Sequence, residues 1–142
     1  MASAAKKRDI QEVNYFASLR SSETNVRSGP STKYPIKFTF KLKGIPIHVI
    51  NEYDNWSEIK DFDGQSGWVA NSLITKKRTL IIRTTKKFVN LHRKNNAKSN
   101  IIYRVENNVI GDYLKCATNW CGIKIGKKKG WVKKSHLFGH EK

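Results

Sequence analysis

The chain has 142 residues, 38% of them hydrophobic, and a formal net charge of +17 at pH 7. No apolar run approaches the roughly 20 residues of a membrane-spanning helix, and residues 1–9 contain no apolar segment of the kind found in a secretion signal. The charge favours anionic partners such as nucleic acid, acidic glycopolymers and lipid head groups.

Short strands are predicted throughout the first half of the chain. Between residues 36 and 43 apolar and polar side chains alternate, which predicts a strand with one buried face. The residues expected on that face are Ile36, Phe38, Phe40 and Leu42. Further strands are predicted at 45–50, 56–60 and 68–70, with turn signals at Asp54-Asn55 and Asp63-Gly64.

The second half has the same pattern. Strands are predicted at 101–105, 109–117 and 120–125, with turns at Asn107-Asn108 and Thr118-Asn119 and a loop at 126–130. Helical periodicity is restricted to the first dozen residues. About five short strands in each half are too few for a sandwich and suit a small closed barrel. The fold class predicted is therefore all-β.

Conspicuous residues recur at nearly equal spacing in the two halves. They are Asn25, Trp56 and Gly67-Trp68-Val69 in the first, and Asn90, Trp120 and Gly130-Trp131-Val132 in the second. The Asn-to-Trp interval is 31 and then 30 residues, and the Trp-to-Trp interval is 12 and then 11. Such a repeat predicts two copies of one small domain. We expect a tail at 1–13, a first barrel at 14–76 and a second at 77–142.

The same motif residues have a counterpart in a known domain type. The segment 25–31, Asn-Val-Arg-Ser-Gly-Pro-Ser, a Trp about thirty residues later and Gly-Trp-Val together resemble the bacterial Src-homology-3-type (SH3) domain. The tandem arrangement, with Arg20, Tyr34-Pro35 and Trp120-Cys121, is similar to a subfamily of exported bacterial proteins of unassigned role. The resemblance covers about residues 14–140. It implies two SH3-like barrels and a binding, not catalytic, role in the cell envelope. The second copy departs from the motif at 92–95, so the resemblance does not extend to a ligand site there.

The two cysteines flank a predicted turn. If Thr118-Asn119 is the centre of a hairpin, Cys116 falls opposite Cys121, close enough for a disulfide. Two buried free thiols, as in a cytosolic protein, are the alternative. The pair with His136 and His140 also approximates the spacing of a zinc finger, but three glycines lie where the finger needs a helix. We therefore predict a disulfide and no metal site.

Few residues are suited to catalysis. The cysteines have four scattered histidines as candidate bases, and an acidic cluster (Glu52, Asp54, Glu58, Asp61, Asp63) is interpreted as a solvated hairpin face. No phosphate-binding glycine motif is present, so neither an enzymatic activity nor a cofactor is predicted.

Aromatic residues provide the candidate ligand site. The recurrent tryptophans are expected in the core, whereas aromatic residues near turns could line a shallow groove for a peptide or sugar. The predicted ligand-binding residues, all in the first copy, are Arg27, Tyr34, Tyr53, Trp56 and Glu58.

The positive charge is concentrated in the second half. Residues 1–78 carry 13 Lys/Arg and 8 Asp/Glu, whereas residues 79–142 carry 15 and 3, giving formal charges of +5 and +12. Any polyanion binding is predicted to use Lys127, Lys128, Lys129, Lys133 and Lys134. Lys outnumbers Arg 21 to 7, which argues against base-specific recognition. A solvated surface without a binding role would explain the same charge.

Together these features predict a non-catalytic binding module of the bacterial cell envelope. Its partner would be a cell-wall peptide or glycopeptide or an envelope protein, with an anionic polymer as a further ligand of the second copy. The protein would be periplasmic or otherwise exported, its signal already removed from this chain. The alternative is a cytoplasmic nucleic-acid-binding protein that uses the lysine-rich second copy and its aromatic residues.

Overall fold

The chain divides into two units between Lys77 and Arg78. The computed structural model of the protein describes residues 9–141. Each unit is built on one seven-stranded antiparallel sheet, and the regular helical segments within the described range are two three-residue 3₁₀ turns. The predicted all-β class with two tandem SH3-like units is confirmed.

The first unit contains strands β1 to β7. Their bounds are β1 Gln11–Leu19, β2 Thr24–Arg27, β3 Ile36–Phe40, β4 Pro46–Tyr53, β5 Trp56–Lys60, β6 Ser66–Ala70 and β7 Ile74–Thr75. In the sheet they follow the order β3-β2-β6-β5-β4-β1-β7, and a 3₁₀ turn at Asn71–Leu73 joins the last two strands in sequence.

The second unit contains strands β8 to β14. Their bounds are β8 Thr79–Ile82, β9 Phe88–His92, β10 Ile101–Glu106, β11 Ile110–Ala117, β12 Trp120–Ile125, β13 Lys128–Lys133 and β14 Leu137–Phe138. The order is β10-β9-β13-β12-β11-β8-β14, with a 3₁₀ turn at Lys134–His136. Adding seven to each strand number of the first sheet gives the second, so the sequence repeat is also a repeat of topology.

One face of each sheet is buried and forms the core. In β5 of the first unit, Ser57 and Ile59 are buried. Trp56 and Glu58, which alternate with them along the strand, are partly exposed, as a period of two requires. The core of the second unit contains a cluster of Cys121, Ile123 and seven further buried residues. The side chains that alternate with these core residues lie on the opposite face of the sheet, which is called the outer face below.

The prediction that the tryptophans are buried in the core holds for Trp68 and Trp120, which are 8% and 9% exposed, and is wrong for Trp56 and Trp131, which are partly exposed. Trp56 and Trp68 pair across strands with Ala70 and Glu58, which places them on the outer face. Trp120 and Trp131 occupy the same positions in the second unit. Sequence recurrence shows that these positions are equivalent, but it does not show which face of the strand they are on.

The predicted buried face of the strand at 36–43 is also wrong in part. Phe40 is buried, but Ile36 and Leu42 are 46% and 48% exposed. The reason is position: β3 is an edge strand that ends at Phe40, and Leu42 lies beyond it. An edge strand contacts the core over only part of its length. The alternation of apolar and polar residues therefore predicts more buried side chains than the strand has.

Other segments differ in their bounds. Strand β1 begins at Gln11, inside the predicted tail, and residues 1–8 lie outside the described residues. The predicted loop at 126–130 is a two-residue turn, in which Gly126 has φ 62°, followed at once by β13. Each sheet has seven strands instead of about five because two-residue strands such as β7 and β14 leave no periodic signal.

The glycine of each Gly-Trp-Val motif allows two strands to approach closely. A Cβ on Gly130 would lie 2.5 Å from Cγ of Leu91 and 3.0 Å from the carbonyl oxygen of His92. Replacing Gly130 with Ala is expected to destabilise the protein by about 1–3 kcal/mol, because the core must shift to admit the methyl group. Urea unfolding measures this. Gly122→Ala is the control, since its nearest neighbour would be 3.5 Å away, and an equal loss in both variants would contradict the steric explanation.

The predicted disulfide is present between Cys116 and Cys121. These residues are direct partners in the β11–β12 hairpin, whose turn begins at Thr118 with φ 45°. Replacing both cysteines with Ala is expected to lower the free energy of unfolding by about 2 kcal/mol, because the bridge restricts the unfolded chain over a short loop. Urea unfolding of the oxidised protein, the reduced protein and the double variant measures this. A variant whose stability equals that of the oxidised protein would show that the bridge contributes nothing.

Candidate functional site

The outer face of the first unit brings four of the five predicted ligand-binding residues together. Strand register places Arg27 beside Trp68, and Trp68 beside Glu58. In the neighbouring row Trp56 is the direct partner of Tyr53 across the β4–β5 hairpin. Residues that are direct partners point to the same side of a sheet. This face therefore combines aromatic rings with hydrogen-bonding groups.

Tyr34, the fifth predicted residue, lies on the adjoining loop and is 47% exposed. The guanidinium of Arg27 donates from Nη1 to the carbonyl oxygens of Thr32 (3.1 Å) and Tyr34 (2.9 Å). A Cβ on Gly29 would meet the Tyr34 ring at 2.5 Å, so glycine is needed for the ring to lie where it does. Arg27 thus holds the loop that presents Tyr34, and its guanidinium is already engaged.

Three carboxylates of the acidic cluster also have local partners. Glu58 accepts a hydrogen bond from the amide of Asn51 at 2.8 Å on the outer face. Asp61 is buried and accepts from the backbone N–H groups of Asp63 and Gln65, which caps a turn. Glu52 accepts from the hydroxyl of Tyr15 at 2.6 Å. These bonds give the three groups structural roles. The predicted solvated hairpin face is wrong for Asp61, which is buried because it caps the turn.

The equivalent face of the second unit contains a cleft of about 290 Å³. We call it the His92 cleft. The side chains that line it are Lys86, Asn90, His92, Ala97, Ile101, Trp120, Lys133 and His136. Of these residues only Lys133 was predicted to contact a ligand. A position-by-position comparison of the two copies points to this cleft, because His92 occupies the position that Arg27 has in the first unit.

His92 is held in a fixed orientation within the cleft. Its side chain is buried, with Nδ1 3.1 Å from the carbonyl oxygen of Ser99. Because a carbonyl can only accept, Nδ1 carries the proton. The ring meets Trp120 edge-on, with centroids 5.2 Å apart and planes at 82°.

Positive charge lies close to His136, a second histidine of the cleft. Burial lowers the pKa of His136 below its usual value of 6.5, and the charges of Lys133 and Lys86 lower it further. The ammonium of Lys133 lies 5.9 Å from the centre of the Trp120 ring. Burial and these two cations therefore disfavour the charged form of the His136 imidazole.

The five lysines predicted to bind a polyanion do not form one patch. Lys127 is in the β12–β13 turn, and Lys128 begins β13 with its ammonium 4.1 Å from the centre of the Tyr103 ring. Lys133 ends the same strand, which places it about 17 Å from Lys128. Lys133 and Lys134 border clefts, whereas Lys127, Lys128 and Lys129 are at the other end of the strand.

The cysteines of the zinc-finger-like spacing are paired in the disulfide. Cys116 and Cys121 are bonded to each other, so neither is available as a thiolate. Within residues 9–141 no group of three or more His, Cys, Asp or Glu side chains could hold a metal ion. Over the same range no helix is long and apolar enough to cross a membrane.

Two stretches of the chain, residues 20–76 and 85–139, match the family described as bacterial SH3 domain. The chain belongs to this family. Over 60 residues it is 40% identical to YrvJ of Bacillus subtilis, which is provisionally named an N-acetylmuramoyl-L-alanine amidase. That match spans 42% of this chain and 11% of YrvJ, so the chain corresponds to a small part of its relative.

The solved structures that resemble this chain are distant from it. NlpC2 from Trichomonas vaginalis aligns with 90% of this chain and 49% of its own length, at 10% identity and a TM-score of 0.40. A Bacillus cereus protein of the NlpC/P60 family aligns with 87% of this chain and 55% of its own, at 13% identity and a TM-score of 0.39. Likeness at this level carries no argument about function.

The Tyr15–Glu52 hydrogen bond makes a testable prediction about alkaline pH. Burial, followed by the hydrogen bond and charge of Glu52, raises the pKa of Tyr15 to about 12. Glu52→Gln is expected to lower that pKa but keep it above the usual 10, because burial remains. Phenolate absorbance measures the titration. Glu58→Gln is the control, and identical curves for both variants would contradict the assignment.

The same group sets a stability window. The folded protein holds the Tyr15 proton to a higher pH than the unfolded chain does, so stability should decrease as the pH rises from 10 to about 12. This loss should be smaller in Glu52→Gln, as measured by unfolding at fixed urea concentration.

Proposed function

We propose that this protein is a non-catalytic binding module of the bacterial cell envelope that recognises a cell-wall peptide or glycopeptide, or an envelope protein. The observation that carries the proposal is the outer face of the first unit, where Tyr53, Trp56 and Glu58 share one surface. Membership of the bacterial SH3 family and the amidase name of YrvJ support a cell-wall setting.

The chemistry of this face suits an extended peptide or a sugar. Exposed Tyr34 and partly exposed Tyr53 and Trp56 offer ring faces, which cover apolar ligand surface at little entropic cost. Glu58 and its partner Asn51 offer acceptors and donors that would fix the orientation of amide or hydroxyl groups. Arg27 keeps the Tyr34 loop in place.

The disulfide supports an exported location. Disulfides persist in oxidising compartments such as the bacterial periplasm and are rare in the cytosol. The bridge also occupies both cysteines, so neither serves as a nucleophile. Both points favour a periplasmic or otherwise exported binding protein over a cytoplasmic enzyme.

The second candidate function is nucleic-acid binding by the second unit. The observation in its favour is the contact of Lys128 with the exposed ring of Tyr103, which places a cation beside an aromatic platform. The distance between this pair and Lys133 argues against a continuous groove for a strand. Lysines on a surface would also hold an anionic cell-wall polymer by charge alone.

Cosedimentation with purified peptidoglycan tests the first candidate. Tyr34→Ala is expected to weaken binding about tenfold, because it removes an exposed ring without disturbing the core. Tyr103→Ala is the matched control, since Tyr103 is an exposed ring of the second unit. Binding should change little with salt. Equal loss in both variants, or no retention of the wild-type protein, would reject the proposal.

Salt dependence tests the second candidate. Each phosphate contacted on a single strand should contribute a slope of about −0.7 to the plot of log affinity against log salt. Changing Lys127, Lys128 and Lys129 together to Gln should flatten that slope for a single-stranded oligonucleotide and for an anionic glycopolymer. A slope unchanged by these substitutions would exclude the β12–β13 turn as the contact. Sequence-selective binding that survives high salt would favour nucleic acid over the cell wall.

A further inference from the structure

The two units present different side chains at equivalent places on their outer faces. Four positions are matched by strand register or by their place in the 3₁₀ turn. They are Arg27, Glu58, Ala70 and Leu73 in the first unit, and His92, Gly122, Lys133 and His136 in the second. At these four positions the second unit has therefore lost a guanidinium and a carboxylate and gained an ammonium and two imidazoles on the same framework.

These substitutions give the His92 cleft a cationic lining. Lys86 and Lys133 both line it, and its lining, within the described part of the chain, includes no carboxylate. A neighbouring cleft that shares Lys86 and His136 adds Arg83. The charged side chains that line these two clefts with His136 are Lys86, Lys133 and Arg83, all of one sign. An anion entering the cleft would relieve this repulsion.

The neutral groups of the cleft add hydrogen bonding and shape. The Nδ1 proton of His92 is engaged by Ser99, so its Nε2 is the ring nitrogen left for a ligand. Asn90 supplies an amide, and Trp120 and Ile101 supply apolar surface. Polar groups beside apolar surface are what a sugar ring requires, because it has hydroxyl edges and C–H faces.

The size of the cleft limits the ligand. Its volume of about 290 Å³ is at the low end of ligand pockets, which range from roughly 300 to 1,000 Å³. That volume accommodates one sugar-sized group, and clefts of about 450 and 420 Å³ adjoin it through shared lining residues. A nucleic-acid strand would instead need a continuous charged groove with several stacking rings.

We propose that the His92 cleft binds a single sugar unit carrying a carboxylate or a phosphate. The oxyanion lies against Lys133, Lys86 and His136, and the ring lies against Trp120 and Asn90. This site belongs to the second unit and does not depend on the function proposed for the first. Because a bound anion raises the pKa of His136, binding takes up a proton and tightens as the pH falls.

Matched sugars test the proposal on the full oxidised chain. Isothermal titration and amide NMR shifts compare N-acetylmuramic acid with N-acetylglucosamine, which lacks the carboxylate, and glucose 6-phosphate with glucose. At least one acidic sugar should bind and shift the indole signal of Trp120, and the neutral sugars should not. The two pairs distinguish a carboxylate ligand from a phosphate ligand. Failure of both acidic sugars at millimolar concentration, or equal binding of the neutral ones, would overturn the proposal.

The first unit supplies the substitutions, because it folds with Ala70 and Leu73 at the matched positions. Lys133→Ala should weaken the acidic sugar about tenfold, since one charged hydrogen bond is lost. His136→Leu should abolish the tightening at lower pH. Lys127→Ala removes the same charge outside the cleft and should bind as the wild type does. If the amide NMR spectrum shows that Lys133→Ala does not fold, Lys133→Gln is tested in its place.

Two results would assign the charge another role. If Lys127→Ala weakens binding as much as Lys133→Ala, the attraction is diffuse and the cleft is not a site. If a single-stranded oligonucleotide displaces the acidic sugar and binds more tightly, the second unit is a nucleic-acid surface. Neither result bears on peptidoglycan binding through Tyr34, so this inference and the function proposed for the first unit can fail separately.

Discussion

The close approach of Val26 to Gly67, and its copy at Leu91 and Gly130, is the contact on which both units depend. It brings β2 onto β6, and β9 onto β13, at the one place where these strands pair. Because side chains alternate across a strand, burying Val26 or Leu91 fixes its neighbour, Arg27 or His92, on the outer face. The position of each candidate site therefore follows from core packing one residue away.

The architecture could be predicted from the sequence repeat. The clefts could not, because their lining residues are close in space and not in sequence. Two-residue periodicity, turn signals and duplicated motifs are local in sequence, so they indicated the strands and the Cys116–Cys121 pairing. The His92 cleft combines Lys86, Trp120 and His136, which lie on separate elements and share no sequence spacing. The residues proposed for the first-unit site could be predicted because its aromatic side chains are conspicuous beside turns. The burial predicted for the tryptophans was wrong for Trp56 and Trp131, because recurrence identifies equivalent positions and carries no information about how far each side chain is covered.

The β4–β5 and β11–β12 hairpins show two ways to stabilise the same element. In the first unit Glu52 faces Ser57 across the hairpin. Glu52 accepts a hydrogen bond from Tyr15, and Ser57 donates one to Asn71, both at 2.6 Å. In the second unit these two positions are the cysteines. A polar network and a covalent bridge thus occupy equivalent sites. The two units share this hairpin although their outer faces differ in charge.

The place of the bridge has a consequence for the cleft wall. Trp120 directly precedes Cys121 and pairs with Ala117, which directly follows Cys116, so the indole is attached at the closed end of a covalent ring. Oxidation removes conformational freedom from this tip before any ligand arrives, and the ligand then does not have to supply that ordering. Reduced protein would have to order the tip during binding. In this protein, formation of the disulfide also preorganises the Trp120 side of the cleft.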